Sequence, residues 1–593
     1  MRNRYLIVLG LLVFILAACG GDDNSGSSTT SETIPANAVQ ISVLYAPESE
    51  QFMPEVIQRF NTAYRNGTNP LTGQSLADGE RPIFVTGNPP QGGLSSGGAM
   101  QGVVNAAIGA NVQNVLRPTM FAPSVSHWLS LANLQSGRQL FDLGQIQPTA
   151  ISPVVIAIWE SRLRAIQETV GYEDIGWEEL LGVLNTPNGW QDYGLENARR
   201  AVYYGHADPR NSSTALSALI SEFYACARED GYTDRRMELA WVQDPEVQDC
   251  VREIEQLVKH YARRTEDFLE YVGQGPQYLD FLAVEEVDII CLNTGGQQGD
   301  EVCNKPVERL VALYPKEGTF WHEHPIAIVN ADWVTPEQRQ ASQVFIDFLL
   351  QPAQQELVMQ YGFRPANPDV PLTYPFVEEN GVSPEGPQTI IDIPASEVLI
   401  ALQESWSLVR KQADVVLLFD VSGSMANDNK IDQAKQAALA FLDQMEPTNR
   451  VGLYVFSDTV RELVPLDIFE TNESQLRPNI NSLRADGGTE LYGAIRDVVV
   501  DLTQEDDSER IRAVVVLSDG ADTGDEGVTL NDALNAINAS SDSRNPVIVV
   551  PVAYGQDADT STLLSIARAS ATRMVFGNPE NIQEVLNVIG SYF

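Results

Sequence analysis

Apolar and polar positions along this chain fall into two long runs in which period-two and period-3.6 patterns take turns. Val39-Gln40-Ile41-Ser42-Val43-Leu44-Tyr45 alternates apolar and polar positions with β-branched residues and predicts a strand. Val56, Ile57, Phe60 and Tyr64 then recur at helical spacing, predicting an amphipathic helix over Pro54–Tyr64. Further strands are expected at Val154–Ile158, Arg200–Tyr204, Val287–Cys291, Arg309–Tyr314 and Ile326–Val329, with helices over 213–229, 247–269, 335–351 and 352–361. Glu397–Gln412 reads as a linking helix, and a second α/β run follows it. Its expected strands are Val415–Val421, Val451–Phe456, Arg461–Leu466, Ala513–Ser518 and Val547–Tyr554. Its expected helices are Ile431–Met445, Glu473–Ser482, Leu491–Leu502, Leu530–Asn538, Thr560–Ala569 and Asn581–Ile589. Strand–helix alternation favours α/β folds with parallel sheets. Val415–Leu418, Ala513–Leu517 and Val547–Val552 are nearly continuous apolar stretches, the pattern of strands covered on both faces in a doubly wound sheet.

The first residues follow another pattern. Arg2 and Arg4 precede an apolar run from Tyr5 to Leu16, which ends in Leu16-Ala17-Ala18-Cys19. A basic start, a short apolar run and small residues before a cut describe a secretory signal, and the run falls short of the ~20 residues of a membrane span. Gly20–Glu32 is rich in Gly, Ser, Asp and Thr and reads as a flexible tether. Leu-Ala-Ala-Cys resembles the bacterial lipobox, which implies cleavage before Cys19, lipidation of its thiol, and an extracytoplasmic protein anchored by lipid to the cell membrane. The expected division is therefore a signal at 1–18, a tether at 19–38, a two-lobed domain at 39–395, a linker helix at 396–412 and a last domain at 413–593.

Composition narrows the partners. With 593 residues the chain exceeds what one core supports, and 43% hydrophobic with 20% charged residues is ordinary for globular domains. The 80 acidic against 38 basic residues give a formal charge of −42, which repels phosphate backbones and argues against a nucleic-acid partner. Cys226, Cys250, Cys291 and Cys303 remain after Cys19; an even number in an exported chain permits two disulfides in three connectivities, and proximity favours Cys226–Cys250 with Cys291–Cys303.

The densest chemistry lies in the last domain. The strand at Val415 runs into Asp420-Val421-Ser422-Gly423-Ser424, placing a carboxylate where open α/β sheets bind ligands, with two hydroxyls at alternate positions. Hard oxygens of low total charge suit Mg²⁺. Gly487-Gly488-Thr489-Glu490 and Leu517-Ser518-Asp519-Gly520 offer further oxygens at a helix start and a strand end. These three pieces resemble the von Willebrand factor A-type family and its metal-ion-dependent adhesion site. The resemblance implies that Asp420, Ser422, Ser424, Thr489 and Asp519 hold Mg²⁺ (or Mn²⁺ or Ca²⁺). It also implies that one position is left for an acidic side chain of a protein partner. Asp522 matches no ligand position and is expected at the rim.

The first long run resembles bacterial extracellular solute-binding proteins of the type 2 periplasmic-binding kind. The likeness rests on Ile41-Ser42-Val43-Leu44-Tyr45-Ala46-Pro47-Glu48, Ser152-Pro153-Val154-Val155-Ile156-Ala157, Asp208-Pro209-Arg210-Asn211-Ser212-Ser213 and Tyr314-Pro315-Lys316-Glu317-Gly318-Thr319. It implies a bilobal fold with a solute between the lobes, and delivery to an ABC-type permease. Ser212, Ser213 and Thr214 open an expected helix whose amides suit an anion, Ser124 and Ser126 lie in a polar loop beside Trp128, and Ser152 marks a crossover. Each of these also suits a plain helix cap. His322-Glu323-His324 is not a HExxH zinc motif and reads as a packed loop, and no Lys-Ser/Thr follows Gly92-Gly93 or Gly97-Gly98, so no phosphate loop is expected. No Ser/His/Asp or Cys/His constellation emerges, and the chain is expected not to be an enzyme. The sequence thus points to a surface lipoprotein with a cation-dependent adhesion domain at its free end, or alternatively to a transport receptor whose last domain modulates delivery.

Overall fold

The computed structural model describes residues 34–593 apart from 89–94, 185, 200, 235, 299–300, 505–508, 520, 525–526 and 542–544. The signal, Cys19, most of the tether and Gly92-Gly93 lie outside the described residues. In chain order, the strands of the first two lobes are β1 (Val39–Tyr45), β2 (Ile83–Asn88), β3 (Met120–Ala122), β4 (Gln147–Pro148), β5 (Ala150–Trp159), β6 (Tyr204–Ala207), β7 (Val258–Ala262) and β8 (Phe281–Glu285). A short pair, β9 (Gln297–Gln298) and β10 (Glu301–Val302), precedes β11 (Leu310–Leu313), β12 (Trp321–His322), β13 (Pro325–Ile328) and β14 (Arg364–Pro365). The last domain adds β15 (Gln412–Asp420), β16 (Arg450–Phe456), β17 (Val460–Ile468), β18 (Arg510–Ser518), β19 (Val547–Tyr554) and β20 (Val575–Gly577).

Three larger sheets result. The first lobe orders its strands β2-β1-β3-β13-β4, the second β11-β5-β8-β6-β7 with β12 and β14 also pairing β5, and the last domain β17-β16-β15-β18-β19-β20. β5 links the lobes: its first residues pair with β14 and β12, its later ones with β8 and β11. In the last domain every pairing is parallel except β16 with β17. Val415, Leu417 and Phe419 pack to one side of β15 with Ala434, Phe441 and Ile589, while Val416 and Leu418 pack to the other with Ile495, Val498 and Ile537. This is the doubly wound α/β layering that the apolar strand runs imply. Cys226 bonds Cys250, and Cys291 bonds Cys303.

Several elements differ from expectation. Val287–Cys291 belongs to the helix Glu286–Thr294; the Glu285 and Asp288 side chains cap its first turn reciprocally, and a short apolar run fits a buried helix as well as a strand. The segment 247–269 is not one helix. The helix Pro245–Glu255 ends at a turn, β7 follows, and the helix Glu266–Val272 comes after it. β7 carries Lys259 and His260 in buried positions, which breaks its strand signature in the sequence. The strand expected at Arg200–Tyr204 begins only at Tyr204.

The last domain is docked, not free. Tyr261 of β7 donates its amide to the Tyr592 carbonyl (3.0 Å), Lys259 Nζ donates to the Ala571 carbonyl (2.6 Å), and Lys411 N donates to the Tyr261 hydroxyl (2.7 Å). His260 packs on Tyr592, and Tyr592 and Phe593 are buried. The linker helix Ser396–Val409 buries Leu399, Leu402 and Trp406 in the same apolar cluster.

Candidate metal centre

β15 holds the middle of its sheet, with β16 on one side and β18 on the other. The chain leaves β15 toward β16 and returns beyond it at β18, so the crevice at their carboxyl ends is the switch point where such sheets bind ligands. Asp420 ends β15, and Ser518-Asp519 ends β18 beside it. Both carboxylates are fully buried.

The loop after β15 folds back on its own carboxylate. Asp420 Oδ1 accepts the Ser422 amide (2.8 Å) and Oδ2 accepts the Ser518 hydroxyl (2.7 Å). Ser422 Oγ lies 3.0 Å from Ser424 Oγ, which donates to Asp519 Oδ1 at 2.6 Å. Adjacent ligands of an octahedral Mg²⁺, with bonds of ~2.0–2.1 Å, stand roughly 2.9 Å apart, so this arc already has the spacing of one edge of the coordination sphere. The third segment is clamped to the first: Gly423 donates its amide to the Gly487 carbonyl (3.0 Å), and Asp486 donates its own to the Val421 carbonyl (2.8 Å). Gly487 has φ +86°, and a Cβ there would meet Asp458 Oδ2 at 2.6 Å, so both backbone and space demand glycine. Thr489 follows, buried, with its amide on Thr523 Oγ1 (2.9 Å) and its carbonyl receiving the Thr523 amide (2.7 Å). Asp522 receives the Tyr492 amide (3.1 Å) at the start of the helix Leu491–Gln504.

Burial pushes the Asp420 carboxyl above its ordinary range, and the Asp519 charge adds to this against the hydrogen bonds from Ser422 and Ser518. Among the described residues one cation answers the two carboxylates: Lys430, itself buried, donates from Nζ to Asp519 Oδ2 at 2.8 Å. Lys430 also lies 3.7 Å from the exposed Asp557, so the two buried carboxylates keep an excess of negative charge with a hydroxyl arc facing it, and this donor set fits a hard dication. The sequence pattern does not mark Lys430, and it places Ser518 in an oxygen-bearing segment without a role of its own. Ser518 is the direct neighbour of Asp519, whereas nothing in the spacing marks Lys430.

The last domain matches the von Willebrand factor type A domain family over residues 414–587. It is a von Willebrand A domain. Residues 105–382 match the bacterial extracellular solute-binding protein family, so the chain joins a solute-binding domain to an A domain. Similar solved structures include a von Willebrand factor type A protein from Catenulispora acidiphila (20% identity, TM-score 0.27, 31% of this chain and 43% of that one). Proximal thread matrix protein 1 from the mussel byssus, with a zinc-occupied MIDAS motif, shows 21% identity and TM-score 0.26 over 30% of this chain and 47% of that one. BatB from Bacteroides thetaiotaomicron shows 16% identity and TM-score 0.25 over 30% of this chain and 96% of that one. This chain spans less than half the length of the first two. None of the curated proteins matches the chain.

The residues expected to touch solute are scattered more widely. Ser124 and Ser213 meet across the two lobes, Oγ to Oγ at 2.7 Å; Ser96 lies 3.1 Å from Ser124, and Trp128 Nε1 donates to Ser213 at 2.8 Å. Ser126 donates its amide to Glu323 (3.1 Å). Ser212 caps the helix Ser213–Glu229 through the Ala215 amide (3.2 Å), Thr214 is buried in that helix, and Ser152 accepts the Val287 amide (3.3 Å). His322 and His324 clasp Glu285 at 2.7 and 2.9 Å, and although burial alone would raise its carboxyl, the two imidazoles hold it down at about 2. In the same seam Gln51, both ring nitrogens of His127 and Glu48 Oε2 are buried without a hydrogen bond. A recess of about 430 Å³, lined by Phe320, Trp321, Glu323 and Asp392, lies next to it.

Proposed function

We propose that this is an extracytoplasmic, non-catalytic surface protein, held to the membrane by lipid at Cys19, whose A domain captures a protein partner through a divalent cation. Mg²⁺ is the ion we favour, with Mn²⁺ and Ca²⁺ as competitors, held by Asp420, Ser422, Ser424, Thr489 and Asp519 and completed by a partner's carboxylate. One observation carries this reading. β15 begins at the interface with the second lobe, next to Lys411, and ends at Asp420; eight steps of ~3.3 Å put about 26 Å between interface and site. The A domain is therefore docked by one end and turns the other outward, with Gly423 and residues 426–429 exposed around the arc. Such an arrangement supports a rigidly presented binding face.

Calorimetry of Mg²⁺ into the full chain and into Asp420→Ala tests it. The wild type is expected to bind one equivalent and the variant to lose at least tenfold in affinity with an unchanged circular dichroism spectrum. Equal Mg²⁺ binding by both would end the assignment. Envelope proteins captured by the wild type in Mg²⁺, and released by EDTA, would identify the partner class; capture indifferent to EDTA would refute cation-dependent adhesion.

A second reading, delivery of a small solute to an ABC-type permease, has support of its own in the seam between the lobes. Buried Gln51, His127 and Glu48 there have polar atoms that a bound solute or water would satisfy. A saturable thermal shift with a small polar solute, abolished by His127→Ala, would favour it; a flat response across a solute panel would remove it.

A further inference from the structure

A different set of ligands lies beneath the linker helix. His206 on β6, Glu222 in the helix Ser213–Glu229 and Glu255 at the end of the helix Pro245–Glu255 converge with no side-chain exposure at all. His206 Nε2 stands 3.7 Å from Glu222 and 3.9 Å from Glu255, and one ligand atom from each of the three residues falls within 4.8 Å of the others. Each group presents an unpartnered atom: His206 Nε2, Glu222 Oε2 and Glu255 Oε1 make no hydrogen bond. Each is also fixed by an outer hydrogen bond, the one on Glu222 falling on the Oε1 that faces His206. His206 Nδ1 bonds the Ala207 carbonyl (2.6 Å); a carbonyl only accepts, so Nδ1 carries a proton and Nε2 is the ring atom turned to the carboxylates. Tyr204 donates to Glu222 Oε1 (3.0 Å) and Tyr261 to Glu255 Oε2 (2.8 Å).

The geometry points to a buried structural site for a transition-metal dication of the zinc kind, held by His206, Glu222 and Glu255. A cation equidistant from three atoms so spaced lies roughly 2.2–2.5 Å from each, a few tenths of an ångström beyond the ~2.0–2.2 Å of zinc bonds to imidazole nitrogen and carboxylate oxygen. Two carboxylates and a neutral imidazole cancel a 2+ charge, which a dry interior requires. The outer hydrogen bonds to Tyr204, Tyr261 and Ala207 are the kind that fix ligand orientation in metal sites. The site is built into the domain junction. Trp406 of the linker helix stacks on His206 (5.2 Å, 23°) and meets Tyr261 edge-on (5.2 Å), and the Tyr261 hydroxyl also receives the Lys411 amide just before β15. A cation here would stiffen the part of the second lobe on which the linker helix and the A domain rest. The rival is a carboxyl–carboxylate pair sharing one proton, for which burial and then the Glu255 charge raise Glu222 well above its ordinary range.

The full chain carrying Asp420→Ala, which silences the A-domain site, separates the two. After unfolding in guanidinium with EDTA, disulfides intact, and refolding with equimolar Zn²⁺, it is expected to retain one zinc through EDTA dialysis and to melt several degrees above its metal-free form. Co²⁺ in place of Zn²⁺ should give visible d–d absorption. Adding Glu222→Gln, a change of nearly equal shape, should lower Zn²⁺ affinity at least a hundredfold while circular dichroism stays the same. The proposal is overturned if the Asp420→Ala chain takes up neither ion, or if Glu222→Gln leaves zinc uptake intact. A Glu222→Gln chain that binds nothing and melts higher than its metal-free parent, which itself binds nothing, would assign the cluster to a shared proton.

Discussion

Lys430→Met should make the A domain less stable without metal and a tighter binder of it. Nζ donates to Asp519 Oδ2 at 2.8 Å, and the side chain is 5% exposed. Methionine keeps the length and apolar stem but removes the charge, leaving Asp519 buried beside Asp420 with the Ser424 hydroxyl and no cation. Breaking one partner of a buried ion pair costs ~3–5 kcal/mol, so urea unfolding in EDTA should show a loss of that size. Metal binding changes in the opposite sense. Asp519 Oδ1 faces Ser424 while Oδ2 faces Lys430, so lysine and dication share one carboxylate and repel each other. A charge-assisted hydrogen bond is worth ~1.5–3 kcal/mol, and its removal should tighten Mg²⁺ roughly tenfold to a hundredfold. By linkage, Mg²⁺ at a hundred times the wild-type Kd stabilises the wild type by ~2.7 kcal/mol and the variant by roughly 1.4–2.7 kcal/mol more. Urea midpoints in EDTA and in Mg²⁺, with calorimetric Kd values, measure both signs. A variant with unchanged Kd, or one as stable as the wild type in EDTA, would show that Lys430 does not balance the site.

Other outcomes follow from the seam and the interiors. Burial, with His322 nearby for His127, lowers His127 and His260 from 6.5 to about 3, so between those values the unfolded chain binds more protons and stability should drop as pH is lowered, by ~1.4 kcal/mol per unit for each ring. Glu285, held at about 2 against an ordinary 4.5, contributes stability that is lost as pH falls through that lower window. Urea midpoints from pH 7 to 4 test this, and a flat profile above pH 5 refutes it; His127→Gln should flatten the slope. Ser213→Ala removes one partner of Ser124 and strands the buried Trp128 Nε1–H, which should cost ~1–3 kcal/mol in urea unfolding. A change under 0.3 kcal/mol would mean that water replaces the hydroxyl.

What the sequence made legible was whatever is local. Asp420, Ser422 and Ser424 lie within five residues, and their strand is apolar on both faces, so fold layer and site could be read together. Lys430 could not, because its pairing depends on how the helix Lys430–Leu442 returns past the end of β18. His206, Glu222 and Glu255 stand on three elements, and their common point exists only once β6 and both helices are packed. β7 was hidden for a related reason. Lys259 and His260 are polar in type yet buried, because the A domain covers them and supplies the Ala571 carbonyl to Lys259. Their polarity disguised a strand whose burial comes from another domain. The docking itself was likewise invisible: Tyr592 and Phe593 carry no pattern that names β7 as their partner.

β15 contains a comparison that explains why one of its aspartates is a site and the other is not. Asp414 near its start and Asp420 at its end are equally buried. Asp414 accepts from Arg450 through both carboxylate oxygens and from Arg510 Nε at 2.7 Å, so its charge is met by two guanidinium groups. Among the described residues Asp420 is met by Ser422 and Ser518 and by no cation of its own, and its near neighbour Asp519 is paired with Lys430. Buried carboxylates without matching cations are costly unless a cation arrives. Asp414 is complete as folded, and Arg450→Ala should only destabilise. The pair Asp420–Asp519 is short of positive charge by one; a divalent ion with hydroxyl ligands more than meets that shortage, and the one positive charge left over suits a further carboxylate. By this reasoning a second cation built beside Asp420, as in Ser518→Lys, should abolish metal binding without loss of fold. A variant that still bound Mg²⁺ normally would show that charge shortage is not what selects the ion.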